Sequence, residues 1–350
     1  MRKKIMMIFI FICMMLFSAC SQTTNTADAE DKIIWRLSHE ESAGSMQDRY
    51  AMKFKELIEQ KSNGKIQVNV YTLGQLGDSV GGVEMLRYGV VDFAINNPAT
   101  VATIIPENQL FTLHFVFSDN PKVTSIMLNE GETIKEMNEL YQQKDIVPLS
   151  WFNEGFQVIS SQKEIRKPSD MKGMKVRVMA SPLLFASYAV YGANPTSVPY
   201  MECYSNLQLN MIDSVVQPTF AMEEMKFYEV SNYLNYLNHE LFIGTFCSNT
   251  RFWENLSEDQ KELVESCLPE LAEYIVKVEE EYSQSRLEKI KQSSDIIINE
   301  FTEEEREEFK KLSVKGHEKY IDIVGEEGER LLALLEKDLA DAEQKVNNNQ

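Results

Sequence analysis

The chain has 350 residues, of which 43% are hydrophobic, 25% charged and 10% aromatic, a globular composition that excludes disordered and fibrous classes and leaves room for two domains. Its 35 Lys and Arg stand against 54 Asp and Glu, a formal charge of -19 whose field would repel a phosphate backbone. Nucleic acid is therefore excluded as the natural partner. The first element is an export signal: Arg2, Lys3 and Lys4 precede the apolar residues 5–17, a run too short to cross a bilayer comfortably. Without those three cations the chain keeps 32 basic residues against 54 acidic ones, a net charge of -22.

Residues 16–20, Leu-Phe-Ser-Ala-Cys, resemble the bacterial lipobox, in which the cysteine becomes the lipidated first residue of the mature protein. This makes Cys20 a lipidation site, residues 1–20 a lipoprotein signal peptide and the polar residues 21–31 a flexible tether. Phe17 is less usual there than Leu, and a plain secretory signal is the alternative. Beyond the signal only Cys203, Cys247 and Cys267 remain, an odd number with no C-x-x-C spacing. They read as small buried hydrophobes rather than a disulfide framework.

Residues 33–37 form a β-rich run. Tyr50, Phe54, Leu57 and Ile58 follow at helical spacing and stop at Asn63-Gly64. Ile66, Val68 and Val70 then alternate with polar residues, residues 74–82 form a glycine-rich turn, and a short helix ending at Tyr88-Gly89 leads into the apolar residues 90–95. Such βαβαβ order implies a parallel sheet covered by helices.

The same logic returns with a strand at 174–179, a helix at 182–191, a short strand at 196–198, a helix at 201–209 and the run 211–216. Residues 86–96 and 207–217 lie in register: Gly89 matches Asn210, Asp92 matches Asp213 and Asn96 matches Gln217. Gly and Asn are the residues that most readily take a left-handed helix cap, so one helix-to-strand unit is used twice. Two open sheets facing one another line a crevice with their strand ends. Asn96, Asn97 and Gln217 fall just beyond the apolar runs, at that crevice.

From residue 257 the pattern becomes long, charged helices over 257–290, 303–312 and 325–342, with a polar tail at 345–350. Ser257 with Gln260 forms a capping box. Leu263, Cys267, Leu271, Tyr274 and Val278 make a core-facing stripe on a helix long enough to cross between lobes.

No nucleophile elbow, phosphate-binding lysine loop, dinucleotide fingerprint or H-E-x-x-H motif is present, and His39, His114, His239 and His317 show no ligand spacing. No cofactor and no metal are implied, and nothing singles out an enzyme. The residue that needs explaining is Arg177, inside the strand 175–179. A buried guanidinium requires an anion, supplied by an internal carboxylate or by a ligand, unless the strand end reaches water. Its planar fork suits a carboxylate.

These blocks together resemble the extracytoplasmic solute-binding proteins of tripartite ATP-independent periplasmic (TRAP) transporters, the DctP-like family of C4-dicarboxylate, sialic-acid and sugar-acid binders. The resemblance rests on Ser62-Asn63-Gly64-Lys65-Ile66 with residues 74–78, on Gly89-Val90-Val91-Asp92 and on residues 168–178 around Arg177. It continues through Tyr191-Gly192-Ala193-Asn194-Pro195-Thr196 and residues 207–213. It implies an α/β, two-lobed periplasmic-binding-protein-like fold, each lobe a mostly parallel sheet flanked by helices, with a long helix spanning both. The expected lobes are residues 32–154 with 243–282, and 155–242 with 283–344.

The resemblance also implies that Arg177 forms the salt bridge to a ligand carboxylate, with Tyr200 and Asn97 as further contacts. Gln157 stands where sialate binders have a second arginine, and Gln217 replaces the usual asparagine before Pro218. With one positive charge lost, a C4-dicarboxylate or a sugar acid such as a uronate is expected rather than sialic acid. The expected mechanism is capture by lobe closure and delivery to a membrane permease, from a protein lipid-anchored outside the cytoplasm. An exported enzyme acting on an organic acid in the same cleft, and a sensory or structural lipoprotein, are the competing classes.

Overall fold

A computed structural model describes residues 32–348; the signal, Cys20 and the tether lie outside the described residues. β1 (Ile33–His39) runs parallel to β2 (Ile66–Tyr71), joined to it by α1 (Met46–Lys61). The Ser45 hydroxyl caps α1 by accepting from the Asp48 amide at 3.2 Å, and Asn63 and Gly64 end it at positive φ (52° and 77°). α2 (Ser79–Arg87), capped by Asp78, leads to β3 (Phe93–Asn96), parallel to β1 on its other side. α3 (Pro98–Val101), a 3-10 turn at Pro106–Thr112, α4 (Pro121–Glu130) and α5 (Glu132–Gln142) follow, and then β4 (Ile146–Ser161).

The second βαβαβ unit is β5 (Lys175–Val178), α6 (Pro182–Ala189), β6 (Asn194–Ser197), α7 (Cys203–Gln208) and β7 (Ser214–Pro218). α8 (Thr219–Glu224), β8 (Tyr233–Tyr236) and β9 (Leu241–Asn249) return the chain to the first half. The remaining elements are α9 (Thr250–Asn255), α10 (Glu258–Glu265), α11 (Leu268–Ser293), β10 (Ile297–Glu300), α12 (Glu303–Val324) and α13 (Glu326–Asn348).

The strand order β2-β1-β3-β9-β4-β7-β5-β6 maps onto itself when read from either end. The parallel triplets β2-β1-β3 and β6-β5-β7 each border one antiparallel strand, β9 or β4, and those two pair with each other at the centre. β4 is the crossing strand. It pairs with β9 from Ile146 to Phe156, then with β7 and β8 from Gln157 onward.

The two copies agree bond by bond. The Asp92 amide donates to the Arg36 carbonyl and the Asp213 amide to the Lys175 carbonyl, both at 2.9 Å. The Asp92 and Asp213 carboxylates accept from the same two partners' amides, at 2.7 and 2.8 Å. Gly89 and Asn210 both sit at positive φ, 70° and 56°, and their carbonyls accept from Arg36 Nη2 and Lys175 Nζ.

α11 spans both halves: Leu271, Ile275 and Val278 pack with Trp35 and Phe54, while Ile290 packs with Val158 and Leu234. At 26 residues it is about 39 Å long. The expected single helix from 257 to 290 is interrupted after Glu265, because Pro269 has no amide to donate and starts α11 instead. α13 departs from its expected lobe: Leu331, Leu335 and Leu339 pack with Val123, Met127 and Ile134 in the first half. Burial of Val346 carries that helix through residues 345–348, expected to be a tail. Cys203, Cys247 and Cys267 are free and buried, as small hydrophobes should be. Among the described residues no helix is long and apolar enough to cross a membrane.

Candidate ligand-binding site

Arg177 is held on β5, the central strand of its triplet, with Thr196 of β6 on one side and Val215 of β7 on the other. It is only 6% exposed. Nε donates to the Val198 carbonyl at 3.0 Å, and the guanidinium lies 5.8 Å from the centre of the Tyr200 ring. Nη1 is buried and has no partner, and no Asp or Glu among the described residues neutralises the group. An unmet buried cation carries a large desolvation cost.

Arg177 opens into a cavity of about 300 Å³, at the small end of the range for ligand pockets. One wall comes from the first half: Leu73, Gly74, residues 77–80 and Thr100. The other is Arg177, Met179, Ala180 and residues 197–201. The cavity thus lies at the strand ends, in the crevice between the halves. A larger hollow of about 470 Å³ between α4 and α11 is mostly apolar and contains no arginine.

In the first half the structure gathers carboxyls that sequence reasoning missed. Glu40 accepts from the Asn97 amide and the Thr100 hydroxyl, and with Asn96 it lines a recess of about 20 Å³ that shares Leu73, Gly77, Asp78 and Ser79 with the main cavity. Gln47 joins three of the acids: its side-chain oxygen accepts from the Glu40 amide, its backbone amide donates to Glu41, and its Nε2 donates to Glu154 at 3.1 Å. Glu224 accepts from the Ser42 hydroxyl at 3.0 Å, closing a contact between β1's extension and α8. Burial pushes the carboxyls of Glu40 and Glu224 up to about 7 and that of Glu41 to about 8. Burial and the neighbouring Glu41 charge push the Glu154 carboxyl up as well. Tyr200 sits between the two walls: its hydroxyl is pushed up by removal from water and then by Glu41 and Glu224, and is pulled the other way by Arg177. The signal for this wall was present in the sequence, as two consecutive glutamates directly after β1.

The five sequence candidates do not all reach the cavity. Arg177 and Tyr200 line it. Gln157 and Gln217 are on neighbouring strands, but Gln157 opposes Pro218 and Gln217 opposes Val158, so their side chains leave opposite faces of the sheet. Gln157 leans toward Glu240, whose carboxyl it hydrogen-bonds, and its Oε1 is buried without a partner. Gln217 is 6% exposed at the end of β7. The Asn97 side chain is spent within the chain: its oxygen caps α3 through the Ala99 amide at 2.8 Å, and its Nδ2 donates to the Ile243 carbonyl at 3.0 Å.

Comparison with known proteins agrees with this geometry. Residues 37–322 match the family model DctP, described as bacterial extracellular solute-binding protein, family 7. The chain is 32% identical over 307 residues to the ectoine-binding periplasmic protein TeaA of Halomonas elongata, covering 87% of this chain and 89% of that protein. To the C4-dicarboxylate-binding periplasmic protein DctP of Rhodobacter capsulatus it is 25% identical, covering 89% and 93%. The high-resolution structure of the ectoine-binding protein from the TeaABC TRAP transporter of Halomonas elongata matches with a TM-score of 0.85 at 31% identity, over 88% of this chain and 99% of that one. The chain belongs to the bacterial extracellular solute-binding proteins of family 7: it is the extracytoplasmic binding component of a TRAP transporter, holding a small organic ligand for a membrane permease, and not an enzyme.

Proposed function

We propose that the ligand is a small carboxylate carrying a positively charged or N–H-rich second end, of the ectoine type. The observation that carries this reading is the unpartnered Nη1 of Arg177, which lines the cavity together with Tyr200, the residue whose hydroxyl also feels the Glu41 and Glu224 charges. Arg177 takes the carboxylate through a charge-assisted fork, Tyr200 packs against the carbon skeleton, and Glu41 with Glu224 meets the other end. Gln217, at the end of β7, supplies a further polar contact when the halves close. A dicarboxylate would place its second anion against acidic groups, at a cost in repulsion or in proton uptake. The name of the 32%-identical relative, an ectoine binder, supports the same choice.

Calorimetric titration with ectoine, succinate and galacturonate tests the reading. Ectoine is expected to bind tightest, and succinate binding tighter than ectoine would overturn the charge assignment while leaving Arg177 in place. The proposal extends to Cys20 as the lipid-bearing residue that keeps the protein at the membrane surface, supported by the lipobox-like residues 16–20. Intact-mass measurement of the exported protein reads that modification directly, and an unmodified mature chain would remove it.

A further inference from the structure

Histidines that show no ligand spacing in the sequence are brought together by the fold. Among the described residues, the donor atoms of His114, His239 and Glu240 all lie within 4.8 Å of one another. All three side chains are buried, with exposures of 1%, 1% and 4%. They sit where the chain passes between the halves. His114 follows the 3-10 turn at Pro106–Thr112, His239 and Glu240 directly precede β9, and the Glu240 carbonyl accepts from the Gln157 amide at 2.8 Å where β4 changes partner.

Each ring is oriented through one nitrogen only. His114 Nδ1 lies 2.9 Å from the Tyr191 hydroxyl, and His239 Nε2 lies 2.6 Å from the Tyr188 hydroxyl. The other two nitrogens, His114 Nε2 and His239 Nδ1, are buried and have no hydrogen-bond partner. Glu240 Oε2 is 3.5 Å from His114 Nε2 and accepts from Tyr188 at 3.3 Å. Tyr188 can therefore accept a hydrogen bond from His239 Nε2–H while donating its own to Glu240. That arrangement leaves the His239 Nδ1 lone pair free, and it is the outer-layer pattern in which a polar group fixes the tautomer and orientation of a metal-binding imidazole. Burial also keeps both rings in the neutral form that ligates metals, the His239 ring with help from its neighbour His114.

We propose that His114 Nε2, His239 Nδ1 and the Glu240 carboxylate form a binding site for one divalent transition-metal ion of the zinc class, which ties together the segments crossing between the halves. Donors about 2.0–2.1 Å from a tetrahedral zinc stand roughly 3.3 Å apart. The His114–Glu240 pair, at 3.5 Å, is already near that separation, and all three donors lie within 4.8 Å of one another. Two nitrogens and one carboxylate suit zinc, cobalt or copper rather than calcium or magnesium, which require six or more oxygens. The site is independent of the ligand chemistry proposed above.

Because the site is buried, the test starts from full-length protein unfolded and refolded in chelator, then refolded again with Co2+. The expected result is one Co2+ per chain with the intense visible absorption of a tetrahedral nitrogen–oxygen site, replaced by Zn2+ and lost in Glu240→Gln and His239→Gln. A weak octahedral spectrum, or tetrahedral bands unchanged in both variants, would overturn the proposal. Should either variant fail to refold, X-ray absorption of the zinc-loaded wild type decides instead: a shell of two imidazoles and one carboxylate supports the site, and any other shell rejects it.

Discussion

Residues 86–96 and 207–217 are one backbone device used twice, yet the strands they lock, β1 and β5, carry opposite chemistry. Counted from the matched pairs Arg36–Asp92 and Lys175–Asp213, Ser38 of β1 occupies the place of Arg177 in β5, since Ser38 opposes Ala94 just as Arg177 opposes Val215. Two residues further on, Glu40 and Glu41 in the first half stand against Met179 and Ala180 in the second. The shared hydrogen bonds fix where each strand ends, and the side chains placed there are glutamates just after β1 and an arginine within β5. A repeated fold thus becomes a polarised site through a handful of substitutions at equivalent positions.

The largest effect is expected at the cationic wall. Arg177→Ala should weaken carboxylate binding by about 100-fold or more, because hydrogen bonds to charged groups contribute up to ~3 kcal/mol. The melting temperature of the empty protein should stay the same or rise, since a buried, unmatched charge is removed. Near-normal affinity in calorimetry would end the assignment.

The acidic wall is tested by pH. Glu40, Glu41 and Glu224 keep their protons in the folded empty protein up to about 7, 8 and 7, against an ordinary value of 4.5. Between those limits the folded state binds more protons than the unfolded chain, so stability falls as pH rises. His114 and His239, held neutral by burial, act in the opposite sense only below their ordinary 6.5. The melting temperature should therefore drop from pH 6.5 to 8, and a flat or rising profile in scanning calorimetry would contradict a protonated wall.

The smallest effect separates the two copies themselves. Asp92 accepts from the Arg36 amide, Nε and Nη2, whereas among the described residues Asp213 accepts only from the Lys175 amide. Asp92→Ala should cost about 2–3 kcal/mol and Asp213→Ala about 1 kcal/mol in urea unfolding. Equal costs would show that the Arg36 pair adds nothing to the shared backbone lock.

Much of this was legible before any coordinates. Glycine and asparagine before an apolar pair and an aspartate marked both helix-to-strand junctions, because few residues tolerate positive φ and an aspartate there can accept from a neighbouring strand's amide. Arg177 stood out because a guanidinium inside an apolar strand has no cheap place to go. Asn97 shows the limit of such reasoning: a polar residue just past a strand can face a ligand or cap the next helix, and only the position of the Ala99 amide decides. The stripe from Leu263 to Val278 hides the break at Pro269, because apolar spacing carries on across a proline while the backbone hydrogen bonding does not.

Local chemistry along the chain determined the two βαβαβ units, their caps and the isolated arginine, since propensity, capping and burial cost act between residues close in sequence. What lies far apart in sequence was left to the tertiary structure. The self-matching strand order, the gathering of Glu41, Glu154 and Glu224, and the meeting of His114 with His239 and Glu240 all depend on strands β4 and β9 bringing the halves together. Such contacts have no periodic signature, because the pairing of distant strands is set by which buried faces fit.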